Sequence, residues 1–402
     1  MGTDYSKYNF DDIRPFNNDE VHDAIETLVS STGLKHAMYY IMPDLDWEQF
    51  VAAMRLCDTK EKFKTILAYN AVMEIAKKTT SSLTISGKSR IPENQSCLFI
   101  SNHRDIVLDA AFLNTLLLDI GHGMTRIAIG DNLLIHPWIK TLVRLNNCFI
   151  VKRDLSARQL LKSSLQLSAY IHHTIKDKRE SVWIAQREGR AKDSNDRTQT
   201  SVLKMLNLAG EHKNPLQNMI DLHIVPITIS YELDPCDYLK AKEFQQKRDN
   251  PDFVKSKRDD LLNMETGMLE NKGRVHFTIG SPVNDRFELL KDIILDKNTL
   301  IMKIADIIDT EIYKNYSFYP CNYVAYDLLH QSDQFGENYD SGDKKLFDNY
   351  LKQQIDKIDG LANKDEAFLR TKMLEMYSNP LQNHLNCKLN VQTGHAPSLL
   401  QN

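Results

Sequence analysis

The sequence predicts an α/β fold: a mixed, largely parallel sheet flanked by helices, with helical N- and C-terminal extensions. Three observations lead there. Short β-rich runs alternate with helical stretches from Leu83 onward. The stretches between the runs space their apolar residues at three and four, the helical period. The residues before Leu83 and after Phe287 carry the helical pattern again.

In chain order, "DEVHDAIETLVSS" and "EKFKTILAYNAVMEIAKKT" read as N-terminal helices. The β-rich runs are "LTIS" (83–86), "CLFIS" (97–101), "RIAIG" (126–130), "CFIVK" (148–152), "SVWIA" (181–185), "LHIVPITISYE" (222–232) and "RVHFTIG" (274–280). The clearest intervening helix is "DLSARQLLKSSLQLSAYIHHTIKD", which Asp154 or Ser156 can cap. Its Leu160, Leu161, Leu165, Leu167, Ile171 and Ile175 fall on one stripe at about 100° per residue. Beyond Phe287 the chain is helical and polar, "HQSDQFGENYDSGDKK" reads as a loop, and the last dozen residues read as disordered. The expected organisation is a helical region over 1–82, an α/β domain over 83–290 and a helical region with a disordered tail over 291–402.

The chain has 402 residues, 42% hydrophobic and 26% charged, as a soluble globular protein does. A net charge of −4 argues against a nucleic-acid partner and requires any anion site to be local. Six cysteines lie far apart with no Cys-x-x-Cys pair, which reads as free thiols in a reducing compartment. The acidic N-terminus lacks the apolar core of a secretory signal, although Gly2 and Ser6 formally fit an N-acylation pattern. The longest apolar passage is broken by Asp109, Asn114 and Asp119, so the chain is not expected to span a bilayer, though it could lie on one.

Chemistry concentrates first in "ISNHRDIVLDAAFLN" (100–114), at a strand-to-helix corner where α/β sheets bind ligands. His103 and Asp109 would point about 120° apart on one helix, so they meet only if His103 lies outside it and folds back. A protein-kinase reading of His-Arg-Asp needs Asn five residues past Asp105, where Ala110 stands. It also needs an upstream Gly-rich loop and an Asp-Phe-Gly, and the sequence has neither. His103, Asp105 and Asp109 are possible metal ligands, but the rest of a phosphoesterase set is missing; His103 as a mere helix cap is the plainer alternative.

Three further blocks follow in order. A strand ends in Lys152 and Arg153, which can hold a phosphate or sit on an exposed strand end. Another is followed by Arg187-Glu188-Gly189-Arg190-Ala191-Lys192, where Gly189 allows close backbone approach; a solvated loop is the other reading. The third carries Pro226 within a strand, which predicts an edge, a bulge or a pocket wall.

This ordered set, including "GDNL" (130–133), "FIVKR" (149–153), "VPITISYE" (225–232) and "RVHFTIGSPV" (274–283), resembles the glycerolipid acyltransferase superfamily. That superfamily comprises glycerol-3-phosphate and 1-acylglycerol-3-phosphate acyltransferases, and the nearest resemblance is to bacterial glycerol-3-phosphate acyltransferases. Two departures stand out. Five residues separate His103 from its candidate Asp109, where the family has four; Asp105 is the alternative partner. The block Glu188-Gly189-Arg190 is one residue shorter than the family's, which makes Arg187 a contender for the role of Arg190.

The resemblance implies transfer of a fatty acyl group from acyl-CoA or acyl carrier protein to glycerol 3-phosphate or lysophosphatidate in phospholipid synthesis. His103 would be the general base and Asp109 its partner, with oxyanion donors among backbone N–H groups at the start of the following helix. Arg104, Lys152, Arg153, Arg187, Glu188, Gly189, Arg190 and Lys192 would line the acceptor phosphate, and Pro226 a pocket wall. It implies no metal, no cofactor and no acyl-enzyme. It also implies a cytoplasmic enzyme held peripherally on the inner face of a membrane. The N-terminal helices and "QQKRDNPDFVKSKRDD" (245–260) are candidates for lipid contact; the acids in the latter make a solvated surface the better reading. The alternatives are another lipid acceptor, such as an amino-acid lipid, or a non-catalytic lipid-binding protein of the same fold.

Overall fold

The structure is a computed structural model and describes residues 5–393. The Gly2 acylation pattern lies outside that range, as does nearly all of the expected disordered tail. Each β-rich run forms a strand: β1 (Ser82–Ser86), β2 (Leu98–Ser101), β3 (Arg126–Gly130), β4 (Cys148–Val151), β5 (Val182–Ala185), β6 (Val225–Tyr231) and β7 (Arg274–Ile279). They make one sheet in the order β1-β7-β6-β2-β5-β3-β4. Every neighbouring pair is parallel except β6 and β7.

The N-terminal helices α1 (Val21–Val29), α2 (Thr32–Ile41), α3 (Trp47–Arg55) and α4 (Tyr69–Thr79) precede the sheet. Between strands run α5 (Leu108–Asp119), α6 (Pro137–Leu145), α7 (Ala157–Lys176), α8 (Asp237–Asp249) and α9 (Lys257–Leu269). After β7 come α10 (Lys297–Lys314), α11 (Pro320–His330), α12 (Ser341–Asp356) and α13 (Glu366–Thr393).

The sheet buries both faces, as parallel sheets do. Leu98, Ile100, Phe149 and Ile184 pack with Tyr170 and Ile171 of α7 on one side. Phe99, Val225, Ile227 and Phe277 pack with Phe112 and Leu116 of α5 on the other. The alternation of Leu98 and Ile100 against Phe99 is the period-two signature of a strand. Val21, Ile25 and Leu28 of α1 form a separate core with Leu34 and Met54. Gly33 is required there, since a Cβ would lie 2.5 Å from Nε1 of Trp138 on α6.

Three details differ from the sequence reading. On α7 only the C-terminal part of the stripe is buried; Leu160 and Leu161 are exposed, because residues 157–162 are uncovered by the rest of the described residues. Pro226 is not an edge residue. It is buried at the second position of interior strand β6, beside Ile100 of β2. Its missing N–H is tolerated because pairing with β7 begins only at Ile227. Finally, α10 belongs to the core of the sheet: Ile301, Ile304, Ile308 and Ile312 join the same cluster as Leu98 and Phe149.

Ile304→Ala should therefore cost about 2–5 kcal/mol in denaturant unfolding. A loss under about 1 kcal/mol would mean that α10 is not part of the sheet's core.

Candidate active site

Because β2, β5, β3 and β4 are parallel neighbours, their C-terminal ends share one sheet edge. That edge receives residues 102–107 after β2, 186–192 after β5, Asp131 after β3 and Lys152–Arg153 after β4. Crevices outside the carboxyl ends of such strands are where α/β folds bind ligands.

His103 follows β2 and lies outside α5, which begins at Leu108. Its Nδ1 is 2.7 Å from Asp109 Oδ2. The same oxygen accepts the backbone N–H groups of Arg104 at 2.6 Å and Asp105 at 3.0 Å. Residues 103–105 thus wrap around one carboxylate at the start of α5, and the wrap takes up the fifth intervening residue. Asp109 is fully buried, while the His103 side chain is 14% exposed. An ionised carboxylate only accepts, so Nδ1 carries the proton and Nε2 keeps a free lone pair. The ring of Trp183 on β5 packs edge-on to the imidazole, with centroids 5.9 Å apart. Trp183 is fixed in turn by donating from Nε1 to Ser101 Oγ at 3.1 Å.

Asp105 does not partner the ring. Its Oδ1 accepts the N–H groups of Val107 at 2.9 Å and Leu108 at 2.7 Å, capping α5. Burial, then the charge of Asp109, pushes its pKa up. Gly267 of α9 leaves room for it, since a Cβ there would meet Asp105 Oδ2 at 1.9 Å. The three candidate metal ligands therefore do not converge. The N–H groups of residues 104, 105, 107 and 108 serve the two aspartates, so they are not free for an oxyanion.

The predicted cations divide into two sets. Lys152 pairs with Asp12, and Arg153 with Glu188. Both lie at the end of β4, three strand spacings or about 14 Å across the sheet from β2. Arg104 is turned inward and buried against Asp196, so it is not available to a phosphate. Arg190 stays close to the His103 corner. It donates from Nη2 to Asn263 Oδ1 of α9 at 2.8 Å, and its Nη1 is buried without a partner. The Asp105 charge acts on it. Arg187 Nε is likewise buried and unpartnered. Gly189 adopts φ +67°, a conformation glycine takes without strain. Lys192 pairs with Glu243 of α8. Burial, then Lys247, Lys255 and Arg190, brings its pKa down to about 7.

A groove of about 1230 Å³ opens at the other sheet edge beside Ser96, Met124, Ser181 and His223. The histidines that line it, His122 and His223, contact a backbone carbonyl and side-chain amides rather than a carboxylate, so the candidate site is taken at the carboxyl-end edge. The thiols of Cys97 and Cys148 are buried, which pushes them up to about 11 and about 12 and disfavours the nucleophilic thiolate.

Residues 82–230 match the family model described as acyltransferase. This stretch is an acyltransferase domain. The matched stretch runs from β1 into β6 and includes His103, Asp109 and both basic blocks. No curated protein matches the chain. Among solved structures, the crystal structure of the 1-acyl-sn-glycerophosphate acyltransferase PlsC from Thermotoga maritima is similar, at 11% identity and a TM-score of 0.33. The alignment covers 72% of this chain and 92% of that one.

Several residues around the site of the acyltransferase domain carry no sequence signal of their own. Asp196, Trp183, Asn263 and Gly267 reach it from other elements. The geometry generates a direct comparison. Asp109→Asn should lower kcat by about 10²–10⁴, because the amide no longer enforces the Nδ1–H tautomer. Asp105→Asn should keep kcat within about threefold, since Asn caps a helix as well as Asp. The reverse order would reassign the partner of His103.

Proposed function

We propose that the acyltransferase domain moves a fatty acyl group from acyl-CoA or acyl carrier protein to a hydroxyl of glycerol 3-phosphate or its monoacyl form. The observation that carries this reading is the His103–Asp109 pair, with a free Nε2, on the same sheet edge as Arg190 and Lys192. An alcohol is a poor nucleophile at neutral pH. Nε2 of His103 takes its proton as the oxygen attacks the thioester carbonyl, a contribution of about 10²–10⁴ in rate. The C–O bond forms, the C–S bond breaks, and the leaving thiolate or solvent takes the proton from the imidazolium. Asp109 stabilises that imidazolium and keeps the ring aimed.

The acceptor phosphate is assigned to Arg187, Arg190 and Lys192. Two buried guanidinium N–H groups without partners support an anion there, since such donors are costly to leave unpaired. Lys152 and Arg153, already paired and displaced along the edge, are assigned no direct role. No helix among the described residues is long and apolar enough to cross a membrane. Contact with a lipid surface is assigned to the N-terminal helices, which expose Tyr40, Leu56 and Ile66. In the 245–260 segment Lys247, Arg248 and Lys255 are each paired with acids, which favours a solvated surface there.

The test is incubation with labelled acyl-CoA or acyl carrier protein and each acceptor, with product read by mass spectrometry. Wild type should form the ester, and His103→Ala should retain under about 1% of turnover while folding normally. No product with any donor and acceptor would favour a non-catalytic lipid-binding role. Lys192 is a cation below its pKa of about 7 and neutral above it. The KM for the phosphate acceptor should therefore rise as pH goes from 6 to 8, by about tenfold at most per unit of pH. Lys192→Arg should flatten that rise; an unchanged profile would remove Lys192 from the phosphate site.

A further inference from the structure

We propose that Asp196 is a positioning residue for His103, holding the two residues on either side of it. The inference rests on the general-base role proposed for His103. Asp196 lies in the loop after the Arg187–Lys192 block and is fully buried. Its Oδ1 accepts from Arg104 Nη1 at 3.0 Å, and its Oδ2 accepts from Arg104 Nη2 at 2.5 Å. The fork is the bidentate geometry that gives such pairs their directionality. Oδ2 also accepts from Asn102 Nδ2 at 3.3 Å and from the Tyr316 hydroxyl at 2.5 Å. The Tyr313 hydroxyl donates to the Asp196 backbone carbonyl. One carboxylate therefore touches residues 102 and 104 at once, and Tyr313 and Tyr316 tie it to the end of α10 and the turn after it.

The consequence for His103 is geometric. Asn102 is also locked to β6, accepting from the Ile229 N–H at 2.8 Å and donating to the Ile229 carbonyl at 2.9 Å. Arg104 is held by its guanidinium on Asp196 and by its own N–H on Asp109. The backbone that carries the imidazole is thus anchored on both sides, leaving the ring only its side-chain torsions. Asp109 fixes those. Asp196 touches neither the imidazole nor the open side of the site, so its effect runs entirely through residues 102 and 104. Burial would disfavour the Arg104 cation, but the Asp196 charge outweighs it and keeps the guanidinium protonated.

Asp309 of α10 supplies a control. It is a second buried carboxylate serving the same loop, accepting from Thr198 N at 2.9 Å and Thr198 Oγ1 at 2.6 Å, and it does not touch residues 102–104. Kinetics and melting temperature are compared for full-length wild type, Asp196→Asn, Asp309→Asn and Tyr316→Phe. Asp196→Asn should lower kcat by about 10- to 100-fold, the scale of a misplaced catalytic group, with both KM values within about twofold. Asp309→Asn should leave kcat within about twofold whatever it does to melting. If Asp196→Asn yields no folded protein, Tyr316→Phe decides, with an expected kcat loss of about fivefold for one lost hydrogen bond. A folded Asp196→Asn with wild-type kcat overturns the proposal, as does equal kcat loss in Asp309→Asn. An inactive wild type sinks the acyl-transfer reading and this inference together. With an active wild type and a dead His103→Ala, the reading stands and the variants test Asp196 alone.

Discussion

One oxygen, Oδ2 of Asp109, holds the ring of His103 and the N–H groups of residues 104 and 105 together at the mouth of the sheet. Hydrogen bonds to a charged acceptor contribute about 1.5–3 kcal/mol each, and here they act where water is excluded. The carboxylate is unscreened because it is fully buried. That burial is tolerated only because three donors converge on it. Stability of the corner and orientation of the imidazole therefore come from the same contacts. The corner is rigid because it cannot relax without leaving a buried charge unpaired.

The rest of the molecule serves this corner in layers. Parallel β2, β5 and β3 bring their loops to one edge, so residues far apart in sequence share one crevice. Trp183 limits the ring from the β5 side, and α9 closes over Asp105 and Arg190 through Gly267 and Asn263. Through α10, the C-terminal helices are joined to the core of the sheet and to Asp196. A chemistry that needs a neutral imidazole beside several cations gains from this separation. The cations nearest the corner, Arg190 and Arg104, are held on Asn263 and Asp196 rather than on the ring.

Much of this was legible in the sequence, and the boundary of legibility has a physical cause. All seven strands were visible because each is a short β-rich run between helical stretches. The meeting of His103 and Asp109 was visible as a condition: the histidine had to stand outside the helix. What stayed hidden depends on tertiary partners. The basic blocks looked alike as strings, yet Arg104 is sequestered by Asp196, 92 residues later, while Arg190 faces the corner. Pro226 read as an edge, a bulge or a pocket wall because its neighbours in the sheet are set by topology, not by local pattern. Leu160 and Leu161 fit the helical stripe but have no core beneath them. Helix α9, which covers the site, has no motif to announce it.

The tautomer of His103 is read most directly by ¹⁵N NMR of histidine-labelled protein, with the His103 signals assigned by loss in His103→Gln. A neutral ring with the proton on Nδ1 and a bare Nε2 is expected near neutral pH, with loss of that fixed tautomer in Asp109→Asn. A proton on Nε2, or a tautomer mixture that Asp109→Asn leaves unchanged, would contradict the role given to the Asp109 carboxylate.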